Sequence, residues 1–373
     1  MKNKFCCLLL TCLSLMIISC GDNSAPAAPD TGWVIGWSED AGISTVKILK
    51  TNNGGASWTL QTLPDGCVGF VGNDISAVNH QVAWAAMGHP DTSHPEGGIL
   101  HTADGGATWT VQTLPDSMIT RHIKSIKGVS PTEAWAVSLQ GDVLHTTDGG
   151  ATWQLVPVQT ASGDPIVMTQ VNRMDVIGQD VWIVDIPSRE LGVIHSPDGG
   201  LTWWQEFLPG KGSQSTGPLA ISAYNSLVAW AAMNQDGLLW WTSNGGRSWN
   251  KSNDSIAATA DFDDICASSA NVVWIACNGS GGGGGFTARV TVTNGNFETI
   301  STLHPPYMME GVSPMTDNKA WAVGQKAAFA EPDLPMSSIY LTEDGGTTWQ
   351  SQPLPGNARD VTLWKVSFVG AKR

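Results

Sequence analysis

The sequence predicts an all-β fold, a ring of seven four-stranded antiparallel blades, and three observations carry that prediction. Tryptophan recurs in apolar stretches such as QVAWAAMG, TEAWAVSL and NKAWAVGQ, at Trp33, Trp84, Trp135, Trp182, Trp230, Trp274 and Trp321, spaced 44 to 51 residues apart. A second tryptophan lies 18 to 28 residues behind, closing the turns TNNGGASW, TADGGATW, TTDGGATW, SPDGGLTW, TSNGGRSW and TEDGGTTW at Trp58, Trp109, Trp153, Trp203, Trp249 and Trp349. Between these marks run short alternating strands parted by Pro, Gly and Asp. A period of about fifty residues with four strands in each is the signature of a β-propeller.

Each cycle reads alike. In the third, HIKSIKGVS is a first strand, EAWAVSLQ a second, GDVLHTT a third and TWQLVPV a fourth. A lone blade cannot bury both faces, so stability requires neighbours and finally closure. The chain opens at TGWVIGW, a second strand with no first strand ahead of it, and ends at DVTLWKVSFVGAKR, a first strand with nothing after it. Residues 360–370 are therefore expected to complete the blade begun by 32–63, leaving no open edge. The remaining blades are expected at 66–115, 118–157, 165–209, 216–252, 257–304 and 308–355.

The sixth cycle departs from the pattern, with Phe297 in the place of the second tryptophan. The glycine run GSGGGGGF at 279–286 lacks the Gly-Lys-Ser/Thr of a phosphate loop and reads as a connection between strands. DFDD, residues 261–264, lacks calcium-loop spacing and reads as a solvated turn.

The chain begins with two lysines, an apolar run and Cys20, the order of a secretory signal. IISC followed by Gly21 resembles the lipobox of bacterial lipoproteins, which implies a signal peptide over 1–19, lipid on Cys20, a flexible tether over 20–31 and a propeller over 32–373. Removing 1–19 deletes Lys2 and Lys4 and no acid, so the formal charge moves from −14 to −16. So acidic a surface repels nucleic acid and anionic headgroups, leaving the lipid as the expected membrane attachment, in the cell envelope outside the cytoplasm.

Of seven cysteines, Cys6, Cys7 and Cys12 leave with the signal and Cys20 carries lipid. Cys266 and Cys277 fall on neighbouring antiparallel strands. They form a disulfide if their Cβ atoms face each other, and are separate buried thiols otherwise. Cys67 has no evident partner in the sequence.

The repeated turn, [ST]-x-[DN]-G-G-x-[ST]-W, resembles the Asp-box or BNR repeat of sialidases, sortilin-type receptors, xyloglucan-cleaving enzymes and photosystem II assembly proteins. Its chemistry is local: Asn53, Asp104, Asp148, Asp198, Asn244 and Asp344 accept backbone N–H bonds, the glycines take positive φ, and the tryptophan packs the hairpin onto its blade. Repetition around the ring marks a structural device rather than a catalytic one. The third cycle, with VSPTEAWAV followed by VLHTTDGGATW, resembles the repeat of the photosystem II stability and assembly factor family, the Ycf48-like or HCF136-like propellers, over residues 32–373. That resemblance implies seven blades, no catalysis, no cofactor and a nascent membrane protein as partner. One family feature is missing: photosynthetic members carry an arginine-rich patch, whereas Arg121, Arg173, Arg189, Arg247, Arg289, Arg359 and Arg373 are dispersed here.

The sialidase set is absent. There is no Arg-Ile-Pro segment, and of Tyr224, Tyr307 and Tyr340 only Tyr307 is expected on a loop. A glycoside hydrolase of the xyloglucan type would need two carboxylates across a cleft, for which Asp164, Asp175, Asp261, Asp263 and Asp264 are the candidates. His89 and His94 share one loop with Asp91 and Glu96, and no metal site is expected there; His101, like His145 and His195, belongs to a strand entering its Asp-box. The expectation is a monomeric, non-enzymatic ring that binds an envelope protein or a glycan. In this topology the Asp-box turns leave one face, and the more variable loops between strands B and C and between D and the next A leave the other. Arg121, His122, Asp164, Arg173, Tyr307 and Arg359 are the expected contacts around that mouth.

Overall fold

The computed structural model describes residues 30–94, 96–118, 121–185, 191–208, 220–233, 237–252, 261–278, 284–304, 306–327 and 330–370. Residues 1–29, Cys20 among them, and most of the glycine run lie outside the described residues. Those described form seven four-stranded antiparallel sheets, each ordered from inner strand A to outer strand D. The inner strands of blades 1 to 7 are Thr362–Phe368, Val71–Ala77, Ile123–Gly128, Val171–Ile177, Ala220–Ala223, Asp261–Ala267 and Tyr307–Pro314. DFDD is thus the start of a strand and not a solvated turn, and Tyr307 opens a strand rather than standing on a loop.

The ring closes as the sequence predicts. Thr362–Phe368 pairs antiparallel with Gly32–Asp40, Val34 opposite Val366 and Gly32 opposite Phe368. A Cβ at Gly32 would overlap the Phe368 ring. That ring stacks on Trp321 of blade 7 at 3.6 Å and meets Trp58 of blade 1 edge-on at 6.0 Å, so the last strand is clamped between first and last blades.

Strand B of each blade is sandwiched between neighbouring blades, which is why segments such as AWAAMG are apolar on both sides and fully buried. The double beat of tryptophans also has its reason there. Trp109 meets Trp33 of the preceding blade edge-on at 5.5 Å; Trp153 meets Trp84 at 5.7 Å, Trp249 meets Trp182 at 6.1 Å and Trp349 meets Trp274 at 5.9 Å. Phe297 does the same to Trp230 at 6.4 Å. The second tryptophan therefore ties its hairpin to the blade before it as well as to its own. On their other faces Trp84, Trp135 and Trp182 stack on His101, His145 and His195 at 3.7, 3.8 and 3.5 Å, which accounts for the repeated histidine.

The Asp-boxes are hydrogen-bonded turns. Asp104 Oδ1 accepts the Thr108 N–H at 2.9 Å and the Thr102 hydroxyl at 3.0 Å, and its Oδ2 accepts the Thr108 hydroxyl at 2.6 Å. Asp148, Asp198 and Asp344 repeat this, whereas Asn53 and Asn244 donate from Nδ2 to Ser57 and Ser248. The second glycine is required twice over. At Gly106 φ is +88°, and a Cβ there would lie 2.9 Å from the Trp33 ring.

Inner strands are latched to one another by a repeated acceptor. Ser367 accepts the Ala77 N–H, Ser76 that of Gly128, Asp175 that of Ala223, Ser222 that of Ala267 and Ser313 that of Phe368, all at 2.9–3.0 Å. Lys127 and Cys266 occupy the remaining two places. There the Val176 N–H turns to Asp175 of its own strand, and Pro314 has no N–H to offer.

The disulfide expectation is corrected by register. Cys266 stands opposite Trp274 and Cys277 opposite Phe262, several ladder steps apart. Cys277 packs into the cluster shared with blade 5 and Cys266 against the cluster shared with blade 7, so the two sulfurs lie on opposite faces of the blade and are not bonded to each other.

Candidate functional site

One irregularity repeats around the ring. In six blades the pairing of strands A and B skips one residue near the start of strand A: Trp364, Asn73, Lys124, Asn172, Asp263 and Glu310. A β-bulge takes its extra residue out of the ladder and re-aims it, and bulges concentrate beside functional sites. Here they set a ring of mostly polar and charged side chains where the strands emerge from the loops between strand D and the next strand A. The next residue of each strand forms a second ring deeper in, with Asp74, Ser125, Arg173, Asp264, Gly311 and Lys365.

These strands enclose a central channel with a cavity of about 110 Å³ lined by Asp74, Lys127, Arg173, Asp175, Asp264 and Lys365 among others. Lys127 pairs with Asp175 at 3.5 Å and Lys365 with Asp264 at 2.8 Å. Lys365 Nζ also donates to the carbonyls of Asp263 at 3.0 Å and Glu310 at 3.2 Å. Burial pushes the Glu310 carboxyl up to about 7, against the opposing Gln325 amide and the Lys365 charge. Lys124 is pushed down to about 8 by burial first and by Arg173 and Lys365 next.

The six expected contacts separate into three settings. Arg121, Asp164 and Arg359 are on the rim. Arg121 pairs with Asp142 at 3.1 Å, Asp164 accepts the Ser162 hydroxyl at 2.6 Å, and Arg359 donates to the Asp333 carbonyl at 3.0 Å. The Arg121 and Arg359 bonds join D-to-A loops to B-to-C loops, as expected of connections sharing one face, whereas Asp164 and Ser162 share one D-to-A loop. Arg173 lies inside the channel, 9% exposed. His122 and Tyr307 are corrected: at 3% and 6% exposure they are wall, not contact surface. His122 is tied to Asn73 at 2.8 Å and held near pKa 4 by burial, then by Lys124 and His89. Tyr307 directs its hydroxyl to the Pro335 carbonyl at 3.5 Å.

Sequence reasoning missed Lys124, Glu310, Trp364 and Lys365, and placed Asp263, one of its candidate carboxylates, in a turn. Aligning the inner strands on the tryptophan register would have found them, since the same position then carries a polar or aromatic residue in blade after blade. Among the described residues no group of three His, Cys, Asp or Glu side chains is placed to hold a metal ion, and no helix is long and apolar enough to cross a membrane.

Comparison with known proteins bears on this site. Among solved structures, YCF48 bound to a D1 peptide is 20% identical over 75% of this chain and 80% of that one, with a TM-score of 0.53. YCF48 from Cyanidioschyzon merolae is 18% identical over 80% and 88%, with a TM-score of 0.55. A protein from Lactobacillus plantarum is 11% identical over 91% and 99%, with a TM-score of 0.57. At such identities the likeness is one of fold. No curated protein sequence matches the chain. The family model for the photosynthesis system II assembly factor YCF48 matches residues 71–176 and 116–308, more than half of the chain, and the protein belongs to that family.

Proposed function

We propose that this protein is a non-enzymatic binding or assembly module, lipid-anchored through Cys20 outside the cytoplasmic membrane, whose partner is an envelope protein docking on the channel-mouth face. The observation that carries the reading is the bulge ring, which gathers Trp364, Asn73, Lys124, Asn172, Asp263 and Glu310 at one end of the channel. Membership of an assembly-factor family supports it, and so does a solved relative described as bound to a D1 peptide. The Asp-boxes on the other face are occupied with their own turns.

A second reading, a glycan-binding or glycoside-hydrolase propeller, draws on Glu310, whose raised carboxyl is the kind a general acid needs. Glu310 is fully buried, however, with Oε1 held by the Gln325 amide at 2.5 Å. A catalytic acid must reach a glycosidic oxygen, and this one faces the wall.

A pull-down from native membranes, run beside a panel of oligosaccharides, separates the readings. Arg121→Ala with Arg359→Ala is expected to weaken capture of a specific membrane protein while leaving the ring folded. Turnover of an oligosaccharide that disappears in Glu310→Gln or Asp264→Asn would overturn the binding reading.

A further inference from the structure

Most of the charge in the channel is already matched. Lys127 has Asp175 and Lys365 has Asp264. Asp74 directs Oδ1 to the Ile75 N–H, and Oδ2 to the Ser125 hydroxyl and the Ile126 N–H. Arg173 stands apart. It is 9% exposed, it lines the cavity, and its Nη1 is buried with no hydrogen-bond partner among the described residues. A buried donor left without a partner is costly, and more so when it is charged.

Lys124, on the neighbouring inner strand, is half-buried and adds positive charge beside the cavity without lining it. Among the described residues it makes no ion pair or hydrogen bond, and it is close enough to Arg173 to feel its charge. The two cations repel each other from adjacent strands, and neither forms an ion pair among the described residues. The cavity of about 110 Å³ corresponds to roughly three or four waters at about 30 Å³ each. That is room for one small polar group and too little for a folded segment.

We infer that the channel is a binding site for a single carboxylate group, held by the guanidinium of Arg173 in the positive field that Lys124 adds beside it. A planar carboxylate matches the fork of a guanidinium, and the bonds it forms are charge-assisted. The carboxylates of Asp74, Asp175 and Asp264 in the same lining oppose a second negative charge, so a monoanion is selected over a phosphate dianion. Two sources carry this chemistry: a small free acid, or a carboxylate on a polypeptide seated over the mouth. The site itself does not depend on the second, so it stands apart from the proposed docking function.

The test is titration of the intact purified protein with carbon-13-labelled acetate in chloride-free buffer, read by line broadening and by calorimetry. Saturable binding at one site is expected. Arg173→Gln should weaken it about tenfold or more, the worth of one charge-assisted bond, and Lys124→Gln should weaken it less. Because Arg173→Gln removes a buried unmatched charge, it should melt no lower than the wild type in acetate-free buffer, which separates lost binding from lost folding. Arg173→Lys keeps the charge without the fork and should fall between. An N-acetylated tripeptide with a free terminal carboxylate distinguishes the sources: binding tighter than acetate assigns the site to a polypeptide, weaker binding to a free acid. Absence of saturable acetate binding, equal binding by Arg173→Gln, or equal binding of the amidated tripeptide would overturn the inference.

Discussion

Lys365 of the closing strand reaches across blade 7 to Asp264 of blade 6, Nζ to Oδ1 at 2.8 Å. Blade 7 permits this because its residue in that ring is Gly311, where a Cβ would stand 2.9 Å from the Trp364 carbonyl and 3.1 Å from the Lys365 Cα. Three blades are thus joined at the seam by one buried side chain, 2% exposed. Lys365→Met strands Asp264 without its cation. Breaking a buried pair from one side costs about 3–5 kcal/mol, and denaturant unfolding should show the midpoint fall with little change in slope. Gly311→Ala should destabilise through crowding of the backbone, and the two losses should be less than additive because they act at one contact.

The clasp predicts a cooperative failure. Phe368 is 1% exposed between Trp321 and Trp58, and Phe368→Ala should cost about 3–5 kcal/mol. Deleting residues 360–373 removes the whole strand together with Lys365 and uncovers an edge of blade 1. Calorimetry should show one transition moved to lower temperature. A truncated protein melting at the wild-type temperature would mean that the blades are registered differently.

Acid should act in two stages. His122 and His304 are both lowered to about 4, chiefly by burial, so the folded state resists the proton that the unfolded chain accepts near its ordinary value of 6.5. Their linkage withdraws stability as pH falls from about 6.5 to about 4, and it withdraws no more below that. Asp104, Asp148 and Asp344 are lowered to about 2 by the hydroxyl and backbone bonds of their own turns. Their contribution is intact above the ordinary carboxylate value and is lost as pH falls through about 2. Melting temperature against pH should carry both steps. His122→Gln should flatten the upper step, and Asp104→Asn should shrink the lower one.

The cysteines give a chemical check on register. Because Cys266 and Cys277 lie on opposite faces of one blade, protein unfolded in denaturant without reductant should alkylate at both, and at Cys67, to the same extent as reduced protein. Mass spectrometry showing Cys266 and Cys277 linked to each other would contradict the pairing of these strands.

The fold was legible because its determinants are local and repeated. Trp33 predicts Trp84, the Gly-Gly pair of each box marks a turn only glycine can make, and the unmatched strands at 32–40 and 362–368 imply each other. The site was less legible. His122 and Tyr307 look like residues of the channel mouth in the sequence, yet both are drawn into the wall by packing, His122 against Gly88 of the preceding blade and Tyr307 toward Pro335 of its own. Glu310 and Lys124 were hidden for the opposite reason. A charged residue within a strand reads as a solvated face, and only the bulges and the closure of the ring gather those positions at one end of the channel, Glu310 buried in its wall. The disulfide failed on register, since two cysteines on paired strands must stand opposite each other on the same face, and Cys266 faces Trp274 instead.

Site-directed photo-crosslinking in native membranes tests the proposed docking face most directly. A crosslinking side chain at Asp164 or Arg359, on the channel-mouth rim, is expected to trap a discrete membrane-protein partner, and one at Asp148 or Asn244, in the Asp-boxes, to trap none. A partner trapped from Asp148 or Asn244 and not from the rim would place docking on the wrong face and contradict the proposal.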